Sequence, residues 1–251
     1  MLKKEGRRLC GGFPSVSQSH GKVKEVKMIY LLDTADLSAI KHCNEFYPLA
    51  GVTTNPSIIS KANSDFWPLV EEIRSIIGPD KMLHVQTTKE TAEEIVEEAK
   101  LLKERLGGNF YVKIPISEEG LKATRMLKKI GIGVTVTAIF TPPQALIAAM
   151  AGADFVAPYA NRLDNIIGDG CEVVGQIVSQ FDAYGLDCKV LAASFKNAEQ
   201  VHKCASVTCH SVTVSPNILK ILITHPMTDA AITGFKKDWS SVYGDKTIKD
   251  F

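Results

Sequence analysis

Short apolar runs alternate with longer amphipathic ones along the chain from residue 28 onward. The strand-like runs are IYLLD (29–33), GVTTN (51–55), MLHVQ (82–86), FYVKI (110–114), GVTVTAI (133–139), DFVAPY (154–159), KVLAAS (189–194) and SVTVS (211–215). Between them apolar positions recur at helical spacing, most clearly over 89–106, where Ala92, Ile95, Val96, Ala99 and Leu102 share one face. Further helical patterns cover 37–46, 66–77, 120–130, 143–151, 171–184, 198–204 and 218–223. Eight strands, each followed by a helix, predict an α/β chain folded as a (β/α)8 TIM barrel, with 28–251 as its single domain. A doubly wound open sheet uses the same alternation, but its first strand normally runs into a glycine-rich dinucleotide loop. Here that loop reads DTAD (33–36). An additional C-terminal helix is expected over 228–242, with Ala231, Ile232, Phe235, Trp239 and Val242 along one side. It follows a completed barrel, so its apolar side needs a cover, either its own barrel mouth or that of a neighbouring copy.

Composition narrows the classes of function. The chain has 251 residues, of which 45% are hydrophobic and 23% charged, close to the soluble globular average and unlike a disordered or fibrous protein. Lys plus Arg (29) nearly cancels Asp plus Glu (28), and no basic stripe stands out, which argues against a nucleic-acid partner. No apolar run is long enough for a membrane-spanning helix. Residues 1–27, with Lys3, Lys4, Arg7, Arg8, Gly11, Gly12 and Pro14, lack a hydrophobic period; they read as a disordered leader or an overlong start, with Met28 as the functional beginning. Six cysteines, at 10, 43, 171, 188, 204 and 209, show no C-x-x-C spacing. Reduced thiols and a cytoplasmic location are expected. Cys204 and Cys209, with His202 and His210 nearby, match no zinc spacing, so no metal is expected.

Strand phase points to the chemistry. Alternate side chains of a barrel strand face the helices and the bore, and chemistry sits at the carboxyl ends of the strands. In FYVKIP the apolar Val112 and Ile114 take the helix side and Lys113 the bore. By the same reading Leu83 and Val85 leave Gln86 inward, Val52 leaves Thr53 and Asn55, and Leu191 and Ala193 leave Ser194. Thr137 alternates with Val134, Val136 and Ala138; Tyr159 is in phase with Phe155 and Ala157, and Asp33 with Ile29 and Leu31. Every strand except the last then ends in a polar inward group, and the set rings one lysine. A lysine held between low-dielectric walls loses hydration of its charged form, so its amine becomes available to attack a carbonyl. Taken singly, Asp33, Asn55, Thr53 and Thr137 could equally be cap or turn residues, and Tyr159 and Ser194 plain packing.

AGVTTNPS (50–57) and YVKIPISEEGL (111–121) closely resemble the two signature stretches of the transaldolase family of Schiff-base aldolases, and LDTAD (32–36), VAPYANRLD (156–164) and LAASFK (191–196) extend the resemblance. The resemblance implies a (β/α)8 barrel without a cofactor, acting on sugar phosphates. It also implies the short subfamily, whose members assemble as pentamer rings stacked into decamers with the last helix exchanged between neighbours. Transaldolases proper carry a glutamate on the third strand and a phenylalanine on the sixth. Gln86 and Tyr159 stand there in this chain, as in the family's fructose-6-phosphate aldolases. HVQTT (84–88) and TVTAIFTPPQ (135–144) depart from that pattern. The implied roles are Lys113 for the imine, Tyr159 with Gln86, Thr137 and a water for proton transfer, Asp33, Asn55 and Thr53 for the sugar, and Arg162, Ser194 and Lys196 for phosphate. Arg162 could alternatively form a surface ion pair with Asp164. A small transaldolase and a non-catalytic sugar-phosphate-binding barrel are the competing readings.

Overall fold

The computed structural model describes residues 28–251; the expected leader, 1–27, lies outside the described residues. Eight parallel strands close into a barrel in sequence order. They are β1 (Ile29–Asp33), β2 (Leu49–Thr53), β3 (Met82–Gln86), β4 (Phe110–Pro115), β5 (Gly133–Ile139), β6 (Phe155–Pro158), β7 (Lys189–Ala192) and β8 (Ser211–Val214). The connecting helices are α1 (Leu37–Phe46), α2 (Pro56–Lys61), α3 (Phe66–Ile77), α4 (Ala92–Leu106), α5 (Glu118–Lys129), α6 (Pro142–Met150), α7 (Ala160–Asp164), α8 (Gly170–Ala183), α9 (Ala198–Ser206) and α10 (Pro216–Ile221); α11 (Pro226–Tyr243) follows. The barrel and the additional helix are those read from the pattern. The six-residue α2 and five-residue α7 are too short to show a period and are new.

Polar residues before the helices set where they begin. Asp36 accepts the amides of Ser38 and Ala39 at the start of α1. Thr91 caps α4, so that helix begins three residues later than its periodicity suggested, and Thr141 with Gln144 forms a reciprocal capping box on α6. Outside the barrel, the apolar sides of the helices meet outward strand residues such as Val52, Leu83, Val85, Val112, Ile114, Val134, Val136, Val190 and Val212 in one continuous core. Inside, Leu31, Met82, Phe155 and Leu191 form a second, smaller cluster with Ile29 and Tyr111 at its edge.

That inner cluster corrects one phase. Leu191 faces the bore, with Val190 and Ala192 on the helix side, the reverse of the expectation for β7. The strand ends at Ala192, and Ser194 has a φ of 66°, so its direction is set by a turn rather than by alternation.

Gly51 marks the tightest approach between strands: a Cβ there would lie 2.1 Å from the Met82 carbonyl oxygen. At the opposite end of the barrel from the strand C-termini, Arg74 of α3 donates to the carbonyls of Gly78, Lys81, Leu106 and Asn109, tying α3 and α4 to the strands they follow and precede. The helix α11 buries none of its residues, and Phe235 and Val242 are 70% and 71% exposed. Its own barrel does not cover it. No helix among the described residues is long and apolar enough to cross a membrane.

Gly51→Ala should lower the unfolding free energy by about 1–3 kcal/mol, the cost of overpacking, because the clash is with backbone that cannot swing aside. Urea denaturation of the two proteins measures it, and an unchanged midpoint would mean that β2 and β3 lie further apart than described.

Candidate active site

The site is built on the carboxyl ends of the strands. Lys113 is third from the end of β4, and its ladder neighbours are Gln86 on β3 and Thr135 on β5. It is 3% exposed, and its Nζ donates to the Thr54 carbonyl oxygen at 3.0 Å. Burial pushes its amine below the ordinary lysine range, with the Asp33 carboxylate opposing. Asp33, at the end of β1, accepts the Thr53 hydroxyl at 2.6 Å. Burial raises the Asp33 carboxyl, opposed by Lys113 and by the Thr53 hydrogen bond. The Thr53 hydroxyl also lies 2.7 Å from that of Thr213. Thr213 faces the bore from β8, so the last strand contributes a polar inward group after all, contrary to the expectation that it would not.

Thr137 is buried on β5 and donates its hydroxyl to the Tyr159 hydroxyl at 3.3 Å. Tyr159 immediately follows β6, with Phe140 edge-on to its ring and the Arg162 guanidinium carbon 4.9 Å from the ring centroid. The geometry brings Arg162 to the mouth by that cation–π contact. The alternative pairing of Arg162 with Asp164 is not formed: Asp164 instead accepts the Gly170 amide and the Gln200 side chain. Gln86 is half-buried beside Lys113 and also borders a cavity of about 270 Å³ with Trp67, Thr88, Glu98 and Leu102. Among the described residues no hydrogen bond joins Gln86 to Tyr159 or Thr137. Asn55 caps α2, accepting the Ile58 amide at 3.0 Å. Ser194 is half-buried past the end of β7; Lys196 is exposed, and its amide donates to Gln200. A cleft of about 530 Å³ opens at Asp33 and runs past Asp36, Ile58, Lys61 and Ser64, within the roughly 300–1,000 Å³ of small-molecule sites.

Three participants were missed. The Thr54 carbonyl is a backbone group, which no residue type announces. Thr213 was readable from the alternation SVTV but was passed over. His84 is fully buried in the bore, in phase with Met82 and Gln86. Its Nδ1 lies 2.8 Å from the Thr135 hydroxyl and its ring stacks on Tyr111 at 4.7 Å. Burial, with Lys113 and Arg74 adding to it, holds this imidazole well below its ordinary range, so it is neutral. Among the described residues no three His, Cys, Asp or Glu side chains converge as metal ligands do.

A buried, weakly basic amine beside a carboxylate is what nucleophilic attack on a carbonyl requires. The family model for transaldolase/fructose-6-phosphate aldolase matches residues 30–247, and the chain belongs to that family. Among solved structures the barrel is similar to a mandelate oxidase mutant carrying a monooxide FMN adduct, at 12% identity and a TM-score of 0.54 over 76% of this chain and 64% of that one. It is also similar to native KDPGal, at 17% identity and 0.53, over 76% of this chain and 83% of that one. Likeness at such identity shows the fold alone, and the chain spans just under two thirds of the mandelate oxidase.

The lowered basicity of Lys113 has a stability consequence. The unfolded chain holds the lysine proton up to its ordinary range while the folded chain releases it earlier, so between the two values stability rises with pH. Relative to Lys113→Met, the stability of the wild-type protein should therefore rise between pH 7 and pH 10, whereas at pH 7 the variant leaves the buried Asp33 without its opposing cation and is no more stable than wild type. Thermal unfolding of the two proteins across that range checks it; the same pH dependence in both would mean that the folded amine keeps its ordinary basicity.

Proposed function

We propose that this chain is a Schiff-base aldolase that reversibly cleaves fructose 6-phosphate to dihydroxyacetone and glyceraldehyde 3-phosphate without a metal or other cofactor. The observation that carries the reading is Lys113, buried in the bore with its amine held by the Thr54 carbonyl and Asp33 close enough to oppose its loss of charge. Its neutral amine attacks the ketose carbonyl, water leaves, and the iminium draws electrons as the C3–C4 bond breaks. Asp33 moves protons during imine formation and, with Asn55 and Thr53, binds donor hydroxyls.

Tyr159, oriented by Thr137, takes the proton from the C4 hydroxyl and later returns one to the enamine carbon; Gln86 orients a water in that transfer but cannot itself titrate. Arg162, held over the Tyr159 ring, fits phosphate oxygens with a two-pronged hydrogen bond, and Ser194 and Lys196 support it from the turn after β7. Five of the six cysteines are free and buried, which fits a cytoplasmic protein.

Fructose 6-phosphate alone should release free glyceraldehyde 3-phosphate, and Tyr159→Phe should cut that release by about 10²–10⁴-fold, the contribution of a general acid–base group. Wild-type protein that transfers the dihydroxyacetone unit to erythrose 4-phosphate far faster than it releases product would instead be a transaldolase. Absence of both activities would leave a binding protein.

The same reading includes a homo-oligomer, a decamer of two pentamer rings. Its support is α11, where Ile232, Phe235 and Val242 stand 48–71% exposed beyond a finished barrel, an apolar stripe that a second copy would cover. Light scattering at micromolar concentration should give about ten chain masses, and truncation before Pro226 should dissociate the assembly; a monomer mass for the full chain would overturn this.

A further inference from the structure

Helices α8 and α9 carry a feature that the chemistry proposed at Lys113 does not use. Cys171, in the first turn of α8, and Cys204, in the last turn of α9, place their sulfurs 3.5 Å apart, with the Cys204 thiol donating to the Cys171 sulfur. Cys171 is also 3.3 Å from the Gln200 carbonyl oxygen. The Gln200 side chain in turn donates to Asn161 and Asp164 of α7 and accepts the Lys196 amide. The start of α8 bears directly on the same turn: the Gly170 amide donates to Asp164, and a Cβ on Gly170 would lie 2.2 Å from the Ala160 carbonyl oxygen. Two thiols in contact thus sit behind the short helix that presents Arg162.

We propose that Cys171 and Cys204 are a redox-active dithiol that closes to a reversible disulfide under hydroperoxide and thereby resets the α7 turn. The Cys171 thiolate attacks one peroxide oxygen, the O–O bond breaks, hydroxide leaves, and a sulfenic acid remains. The Cys204 sulfur then attacks the Cys171 sulfur, the S–OH bond breaks, and the Cys204 proton departs with the hydroxyl as water. In sum two thiols and one hydrogen peroxide give one disulfide and two waters, and a small-molecule thiol restores the pair.

The environment sets the order of events. The hydrogen bond from Cys204 lowers the Cys171 thiol, against burial, whereas Cys204 is raised because it is the donor of that bond and is buried. Once Cys171 is oxidised it no longer holds that proton as a thiolate does, and Cys204 is released to resolve it. Among the described residues the other cysteines are poorer competitors, since burial raises Cys43, pushes Cys188 up to about 12 and Cys209 up to about 11. Cys171 is 5% exposed and Cys204 fully buried, so the oxidant must be small. Closing the contact from 3.5 Å to a bond of about 2.05 Å draws α9 toward α8 at the level of Gln200.

The test uses the full chain, treated with hydrogen peroxide, blocked with an alkylating agent and mapped by mass spectrometry. The expected product is a cross-link between the peptides holding Cys171 and Cys204, two mass units below the dithiol and reversed by dithiothreitol. Amide hydrogen exchange over residues 160–169 should change at least about threefold on oxidation of the wild type and stay unchanged in Cys204→Ser, which should instead collect oxygen at Cys171. The proposal is overturned if both thiols remain alkylatable, if the cross-link joins other cysteines, or if the cross-link forms and the exchange does not move. None of these readouts depends on aldolase turnover, so failure of the proposed reaction and failure of the redox site are separately visible.

Discussion

The rest of the structure turns on one uncomfortable placement, an amine nearly sealed from water inside a barrel. Lys113 has a backbone carbonyl for its hydrogen bond and a carboxylate nearby, far less than the hydration a free ammonium enjoys. That deficit lowers the basicity of the amine, as the proposed imine chemistry requires, and a barrel bore is one of the few places where it can be sustained. The wall is double: outward residues of each strand are locked under helices, and inward residues below Lys113 are apolar or neutral, including Leu31, Phe155, Leu191 and the uncharged imidazole of His84. A second cation in that space would compete with the first.

Polar order around the amine comes from several strands at once. Asp33, Thr53 and Thr213 bring β1, β2 and β8 together through hydroxyl and carboxylate contacts, and Thr137 with Tyr159 joins β5 to the end of β6. The closeness of β2 to β3 at Gly51 helps to set the reach of the Thr54 carbonyl, which lies three residues on. On the far side of the mouth, α7 is held from behind by the starts of α8 and α9, and the cysteine contact joins the first turn of α8 to the last turn of α9.

Most of this was legible because alternation is a strong signal in buried parallel strands. Lys113 between Val112 and Ile114, Asp33 in phase with Leu31, and Thr137 between Val136 and Ala138 needed only the period of two. The phase of β7 came out reversed because the rule was carried past Ala192, where the strand ends and Ser194 takes a positive φ, and because Leu191 and Ala192 are both apolar and give no phase of their own. His84 was available from the same alternation that placed Gln86 but, lying deeper than the strand end, did not stand out as chemistry. The Thr54 carbonyl and the Arg162–Tyr159 contact are matters of backbone path and loop shape, and no residue pattern encodes them at this length. Asn55 served the capping role that its residue type equally suggested.

Borohydride reduction in the presence of fructose 6-phosphate, followed by peptide mass mapping, tests the central placement most directly. An amine made nucleophilic by burial at Lys113 predicts a single reduced sugar adduct on that residue, lost in Lys113→Arg, which keeps the charge but cannot form the imine. An adduct on another lysine, or none while the wild-type protein turns the substrate over, would contradict it.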